Sequence, residues 1–147
     1  MKKIIPPVYF LLSILLMLLV DRFIPFYKLF GEPVNYLGLI LILTGVALSV
    51  WGAGTFRQAD TPVKPFEQPT KLIIHGPFRF SRNPMYLGMM VVLLGIWILF
   101  GSLAPLFVIL IFFYIISQGF IKHEEPYMED LFGEDYLQYK QRVRRWL

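Results

Sequence analysis

Long stretches without charge constrain this chain more than any other feature of its sequence. No Asp, Glu, Lys or Arg occurs in residues 4–20, 33–56 or 83–121, which are runs of 17, 24 and 39 residues. A helix needs about 20 mostly apolar residues to cross a bilayer, whereas a helix of a globular protein averages about 10–14. The sequence therefore predicts an all-α integral membrane protein.

The longest uncharged run holds two crossings, because Gly101-Ser102 with Pro105 just beyond predicts a tight turn in its middle. The four predicted crossings are residues 4–20, 34–53, 84–100 and 103–120. They leave a loop at 54–83 and a C-terminal segment at 121–147, and together they form a single membrane-embedded domain, 1–147.

The first crossing also resembles a signal peptide, because Lys2-Lys3 precede its apolar run. A small-residue cleavage site does not follow it, however. Asp21-Arg22 and a bulky aromatic stretch come next. We therefore expect this helix to be retained.

Lys and Arg residues are distributed unequally between the two predicted faces of the membrane. The N-terminus carries 2, the loop at 54–83 carries 5 and the C-terminal segment carries 5, whereas the loop at 21–33 carries 2. Basic residues concentrate on the cytoplasmic side, so both termini are predicted to be cytoplasmic in a multi-pass protein. The net charge of +4 then indicates membrane anchoring and not nucleic-acid binding.

Composition excludes several kinds of chemistry. The chain has no cysteine, which removes disulfides, thiol nucleophiles and thiolate metal ligands. The predicted crossings contain no ionisable side chain of the kind that proton-coupled transporters place within the membrane. Polar residues concentrate instead in residues 56–83 and 122–147, where we expect the functional site.

The first of these segments ends at a predicted helix start. Asn83 is a favourable N-cap and Pro84 suits the first helical position. The helix N-terminus attracts anions, and Arg79 and Arg82 beside it strengthen that attraction. On charge alone, the simpler interpretation is that both arginines bind lipid headgroups. Gly88 and a second glycine seven residues later predict close helix packing.

The second segment begins with the adjacent acids Glu124 and Glu125 in an otherwise basic rim. They are suited to a cation, to ribose hydroxyls or to an amino group, or they are simply solvated. His75 and His123 are the only histidines, and their spacing does not form a metal site. No metal is therefore expected.

The last residues predict an amphipathic helix. From Tyr136 the apolar positions step by 3, 4 and 3 residues to Trp146, and basic residues occupy the other faces. This pattern is typical of a helix that lies in the membrane interface, with anchoring or a role as a lid as its function.

Two runs of sequence resemble a known family. GPFRFSRNPMYLG (residues 76–88) and HEEPYMEDLFGEDYLQYKQRVRRW (residues 123–146) are similar to the isoprenylcysteine carboxyl methyltransferases, within a wider group that includes membrane phospholipid N-methyltransferases. Each piece is weak alone, but their order and their placement at two helix ends are specific. The family pattern has His where Asn83 stands and Leu where Met128 stands, and the loss of His makes a general base at that position unexpected.

The resemblance implies a methyltransferase that uses S-adenosylmethionine (SAM), held between the cytoplasmic helix ends and the C-terminal segment. It implies Arg82 and Glu125 as catalytic residues. Matched to the family's motif, the cofactor-binding residues that it implies are Arg82, Asn83, Pro84, Tyr86, Gly88, Glu124 and Glu125. We also predict cofactor-binding roles for His75, Gly76, Pro77 and Arg79, which lie just before this motif.

A lipidic methyl acceptor follows from the membrane setting, and a carboxylate acceptor leads slightly because it needs no base. An amine or a thiol acceptor stays open, although no residue for removing its proton is evident. A non-catalytic membrane scaffold or assembly factor is the alternative from another class. The oligomeric state is left open.

Overall fold

The computed structural model describes residues 5–24, 27–62 and 68–147, and 74% of them are helical, with no strand in this part of the chain. The helices are α1 (Pro6–Phe23), α2 (Leu37–Gln58), α3 (Pro84–Phe100), α4 (Leu106–Ile116), α5 (Lys122–Phe132) and α6 (Glu134–Arg142). A 3₁₀ turn (Val34–Tyr36) precedes α2, another (Gly76–Arg79) precedes α3, and a π-helical turn (Ser117–Ile121) joins α4 to α5.

Three helical segments are long and apolar enough to cross a membrane. They are Pro6–Phe23, Val34–Gln58 and Leu106–Phe132, whereas Pro84–Phe100 is apolar but shorter, with 17 residues. The structure thus supports three of the four predicted crossings by length and places a fourth apolar helix at the predicted residues. The first two helices extend beyond their predicted ends, to Phe23 and Gln58.

Glycines bring α2 and α3 into backbone contact. A methyl group added at Gly45 would lie 2.5 Å from the carbonyl oxygen of Gly88, and one at Gly88 would lie 2.5 Å from that of Gly45. Gly95 meets Gly38 of α2 in the same way one heptad further along. The close packing predicted from Gly88 and Gly95 is confirmed.

The turn between α3 and α4 is the predicted one at Gly101-Ser102. Gly101 ends α3 with φ at 72°, a left-handed conformation that favours glycine. Trp97 Nε1 donates a hydrogen bond to the Ser102 carbonyl at 2.8 Å, and the Ser102 hydroxyl donates to Asp21 at the end of α1. This turn therefore ties three helices together at the end of the molecule opposite the acidic pair.

The segment from α4 to α5 is one continuous helix with a π turn in it. A π turn adds a residue to the helix and changes the direction in which later side chains point. Beyond this turn the composition changes from apolar to charged, and Glu124 and Glu125 follow within one helical turn. Most of the predicted crossing at 103–120 and the acidic pair thus belong to one continuous helical segment, Leu106–Phe132.

The predicted C-terminal helix is shorter than its apolar spacing indicates. It ends at Arg142, and Val143 is extended, with φ −121° and ψ 129°. Residues 143–147, here called the C-terminal strap, return across the start of α3, where the Arg144 and Arg145 carbonyls accept hydrogen bonds. These bonds replace those of another helical turn, so the expectation of a helix to Trp146 is wrong.

Candidate active site

A cavity of about 150 Å³ lies where the start of α3 meets α5 and α6. Its walls come from the end of α2, the loop before α3, and the facing sides of α5 and α6. The polar lining residues are Arg82, Asn83, Tyr86, Glu124, Glu125, Tyr136 and Tyr139, and apolar ones include Phe78, Pro84 and Met128.

The loop before α3 is fixed by aromatic packing. Phe78 is buried and packs edge-on against Phe56 of α2, with ring centroids 5.3 Å apart. The Tyr139 hydroxyl of α6 donates a hydrogen bond to the Phe78 carbonyl at 2.7 Å. These contacts hold the residues just before α3 between α2 and α6, so the position of Arg82 is set by the fold.

Asn83 occupies the N-cap position of α3, but its side chain does not cap the helix. Asn83 Nδ2 instead donates to the Arg145 carbonyl at 3.0 Å, and the Asn83 backbone N–H donates to the Ser81 hydroxyl at 3.1 Å. The Arg82 backbone N–H donates to the Arg144 carbonyl at 3.0 Å. The predicted side-chain cap is therefore wrong, because Asn83 binds the C-terminal strap.

Glu125 is a buried carboxylate between two arginines. Arg82 Nη1 lies 3.0 Å from Glu125 Oε1, and Arg145 Nε donates to the same oxygen at 3.0 Å. Arg145 Nη2 donates to Oε2, so Arg145 engages both oxygens side-on. This hydrogen bond to Glu125 raises the pKa of the Arg145 guanidinium. The triad carries one negative and two positive charges.

Arg82 keeps donor capacity that its neighbours do not use. Its side chain is only 9% exposed. Its guanidinium pairs with Glu125 through Nη1 and also lies within hydrogen-bond reach of Tyr136, but within the described residues Nε and Nη1 find no acceptor with hydrogen-bond geometry. Buried donors without an acceptor are rare in native proteins and call for an explanation such as a bound ligand. These donors are suited to an anionic group in the cavity.

Glu124 has a different environment from its neighbour. The Tyr86 hydroxyl donates to Glu124 Oε1 at 2.9 Å, joining α3 to α5 across the cavity. No ion pair of Glu124 is present in the described part of the chain. Of the two acids, Glu124 is thus the one whose charge is not matched by a cation.

Two tyrosines of α6 form the wall opposite α3. Burial raises the pKa of the Tyr136 phenol, which the nearby Arg82 partly offsets, and burial also raises the pKa of Tyr139. Both phenols therefore stay neutral. With Phe78 they give the cavity an aromatic wall beside its charged groups.

The structure brings only part of the predicted site together. Arg82, Asn83, Pro84, Tyr86, Glu124 and Glu125 line the cavity. His75 and Arg79 are exposed, and Arg79 lines a neighbouring pocket that shares Leu72 and Tyr139 with the cavity. Gly76 and Pro77 belong to the 3₁₀ turn behind the cavity, and Gly88 is enclosed by the contact with α2. The cofactor role of all eleven predicted residues stays a prediction.

Arg145, Tyr136 and Tyr139 were missed as site residues by the sequence interpretation. Arg145 was assigned to the outer face of a continuous amphipathic helix, so its return to Glu125 had no local signal. The tyrosines do lie on the apolar face of that helix. A signal for them was the three-residue spacing of two aromatic residues that also carry hydroxyls.

Metal chemistry has no support in the described residues, among which no group of three or more His, Cys, Asp or Glu could hold a metal ion. The cavity combines an arginine with free donors, an unpaired acid and aromatic walls. That combination is suited to an organic ligand that carries charges of both signs.

An all-helical membrane protein with a polar site at its helix ends is the class that this structure defines. The sequence model of the phospholipid methyltransferase family matches residues 34–135, and the chain belongs to that family. The match includes the whole of α2, α3, α4 and α5, and therefore most of the cavity wall.

Curated relatives agree with this assignment. The chain is 28% identical over 117 residues to a probable protein-S-isoprenylcysteine O-methyltransferase of Oryza sativa subsp. indica, and equally to that of subsp. japonica. The match covers 78% of this chain but only 61% of each rice protein. An uncharacterized Haemophilus influenzae protein is 41% identical over 63 residues, its whole length and 43% of this chain. No solved structure matches.

Proposed function

We propose that this protein is a SAM-dependent methyltransferase that acts on a lipidic acceptor at the membrane interface. Family membership supports the class of reaction. The observation that carries the proposal is the buried Arg82, whose unused donors face a cavity that also holds the unpaired acid Glu124. A non-catalytic scaffold would not need to keep these groups buried at a cost in stability.

The residues of the cavity fit SAM. Arg82 offers buried N–H donors to a carboxylate, the acidic pair Glu124 and Glu125 is suited to an ammonium, and Phe78 and Tyr136 provide an aromatic wall for the adenine ring. When bound, SAM supplies an activated methyl group for in-line displacement, a reaction that depends chiefly on positioning. We propose that Arg82 and Glu125 are the catalytic pair in this sense, because they fix the geometry of the site.

We also propose the complete architecture that the sequence predicts: four crossings in one domain, both termini cytoplasmic, and the cavity on the cytoplasmic side. The 12 basic residues on one face against 2 on the other support this orientation. Reporters fused after Gln68 and at the C-terminus should report the cytoplasm, and one after Lys28 should not. An external report at Gln68 would contradict the orientation.

For the acceptor, a carboxylate on a lipidic molecule is the first candidate. The rice relatives are probable protein-S-isoprenylcysteine O-methyltransferases, which supports this acceptor, and a carboxylate needs no base before it is methylated. The cavity lies directly beyond the apolar part of the helix formed by α4 and α5, so a tail can lie along the helices while the head reaches the site. We propose lateral access from the inner leaflet.

An amine acceptor is the second candidate, and Glu124 favours it. A protonated amine must lose a proton before it accepts a methyl group. If Glu125 alone holds the ammonium of SAM, the buried Glu124, which has no ion pair among the described residues, is suited to receive that proton. The Tyr86 hydroxyl orients Glu124 for this role through their 2.9 Å hydrogen bond. A thiol acceptor needs the same help.

The test is binding followed by transfer. Purified protein in detergent should bind SAM in a calorimetric titration, and radiolabelled SAM should label a lipid in vesicles doped with a carboxyl, amine or thiol acceptor. Binding with transfer to none of these acceptors would contradict the proposed chemistry. Failure to bind SAM would favour the scaffold alternative.

A further inference from the structure

The C-terminal strap lies across the groups that a ligand would use. The Arg145 carbonyl accepts hydrogen bonds from Asn83 Nδ2 at 3.0 Å and from the Ser81 hydroxyl at 3.4 Å. Trp146 packs against Phe113 of α4, with ring centroids 5.2 Å apart. The strap is therefore attached both to the start of α3 and to the long helix that carries the acids.

The Arg145 side chain occupies the carboxylate of Glu125 in this structure. Its guanidinium engages both carboxylate oxygens, and Arg82 Nη1 lies 3.0 Å from one of them, so two cations already occupy the positions from which a cationic ligand would contact Glu125. The cavity of about 150 Å³ is also smaller than the roughly 300–1,000 Å³ of most ligand sites. A ligand of the size of SAM thus requires a part of this structure to move.

Burial shows which partner of the triad can leave. The Arg145 side chain is 40% exposed, whereas those of Arg82 and Glu125 are 9% and 7% exposed. Because the Arg145 guanidinium already touches solvent, it can leave Glu125 and bind water instead at little cost in free energy. Arg82 stays beside Glu125 when Arg145 leaves, so the buried carboxylate is never left without a cation, which would be costly.

We propose that Arg145 is a displaceable cation that occupies Glu125 until a cationic group of the ligand replaces it and releases the strap. This inference rests on the proposed function, in which that group is the ammonium of SAM. It makes Arg145 a specificity-determining residue. A ligand with an ammonium is accepted because it replaces one positive charge by another, and a ligand without one leaves the strap in place.

The direction in which SAM affinity changes when Arg145 is replaced tests this role. Arg145→Gln removes the competing cation, so it should tighten SAM binding about tenfold in a calorimetric titration. Arg142→Gln, which changes the same charge on the exposed face of α6, should leave the affinity unchanged within twofold. The same titrations with 5′-methylthioadenosine, which has neither ammonium nor carboxylate, should give equal affinities for wild type and Arg145→Gln.

Proteolysis of the unaltered protein gives a second readout. Trypsin cleaves after Arg145, and that carbonyl is held by Asn83 and Ser81 in the closed state. SAM should therefore accelerate loss of the last two residues severalfold, measured by intact mass, and 5′-methylthioadenosine should not.

The outcomes separate this inference from the proposed function. Wild type that binds SAM, together with unchanged or weaker binding by Arg145→Gln, would overturn the displacement alone, and so would protection of the strap from trypsin by SAM. Absence of SAM binding in both proteins would remove the proposed function and the inference with it. If Arg145→Gln does not fold, the trypsin comparison on wild type decides.

Discussion

The α2–α3 contact and the cavity at the start of α3 are built in opposite ways. In the contact, glycines let two backbones meet, and the atoms that a new side chain would strike are mostly backbone atoms that cannot yield. At the cavity, side-chain ion pairs and the C-terminal strap hold the elements together, and one of the two arginines is partly exposed.

Helix α3 belongs to both regions, and this explains why they differ. Its glycines fix it rigidly against α2, so its first residues reach the cavity from a stable platform. Beyond that platform an aromatic cluster also holds the elements together, but the contacts with Glu125 and with the strap are ion pairs and hydrogen bonds, which we propose can exchange with a ligand. The close-packed α2–α3 pair thus supports the site that we propose to open.

The largest effect is expected from a substitution among the ion pairs at the cavity, here called the polar region. Glu125→Ala would leave Arg82 buried without its counter-charge, which typically costs about 3–5 kcal/mol of folding free energy. We expect a correspondingly large fall in stability, measured by thermal or denaturant unfolding in detergent, together with loss of SAM binding.

The double variant Arg82→Met with Glu125→Ala is the matched control for this prediction. Replacing both charges of a buried pair by apolar groups is often neutral. The double variant should therefore recover much of the stability while still failing to bind SAM. If Glu125→Ala alone is as stable as wild type, the Arg82–Glu125–Arg145 triad does not stabilise the fold.

The next effect breaks the glycine contact. Gly45→Ala places a methyl group 2.5 Å from the Gly88 carbonyl oxygen and 2.7 Å from the Val92 nitrogen. Overpacking of this kind costs about 1–3 kcal/mol. Unfolding measurements should show that loss without any change in the chemistry of the cavity.

Gly54 provides the control on the same helix, because nothing lies within 4 Å of a methyl group added there. Gly54→Ala should be neutral or stabilise the helix by about 0.5–1 kcal/mol. Equal losses from both substitutions would mean that helix propensity, and not close approach, determines the result.

Sequence reasoning succeeded where a pattern is local. The uncharged runs predicted apolar helices, the pair Gly101-Ser102 predicted the turn, and Gly88 and Gly95 predicted close packing. Each of these features is determined by neighbouring residues or by helical spacing, so it could be predicted without knowledge of the tertiary contacts.

The site could be predicted only in part, for the opposite reason. Arg82, Tyr86 and the acidic pair were found through a family pattern. The difference between Glu124 and Glu125 depends on Arg145, which lies 20 residues away from Glu125 and reaches it through a strap that no local pattern indicates. The end of α6 at Arg142 likewise depends on hydrogen bonds to the distant start of α3.

A smaller effect, on SAM affinity, is expected from a substitution of Glu124 in the polar region. Glu124→Gln keeps the shape of the side chain and its contact with Tyr86 but removes one of the two negative charges that the acidic pair offers to the ammonium of SAM. Hydrogen bonds to charged groups contribute about 1.5–3 kcal/mol, so SAM affinity should fall at least tenfold, about 1.4 kcal/mol. Calorimetric titration measures it.

Lys140→Ala is the control for the loss of a charged side chain. Lys140 is exposed and pairs with Glu129 away from the cavity, so its removal should change SAM affinity little. Equal affinities of Glu124→Gln, Lys140→Ala and wild type would end the assignment of Glu124.

The smallest expected effect is the change in acceptor affinity for each CH₂ group of its tail. We propose that the acceptor lies with its tail along the apolar helices and its head in the cavity. Each buried CH₂ contributes about 0.8 kcal/mol, roughly fourfold in affinity, so activity at limiting acceptor should rise steeply with tail length. SAM affinity should stay constant, because the tail does not touch the polar region. Assays of matched acceptors at equal concentrations in the membrane phase measure this dependence. Equal turnover of an acceptor without a tail would mean that the polar region alone recognises the acceptor, and the apolar region would then serve only to hold α3 in place.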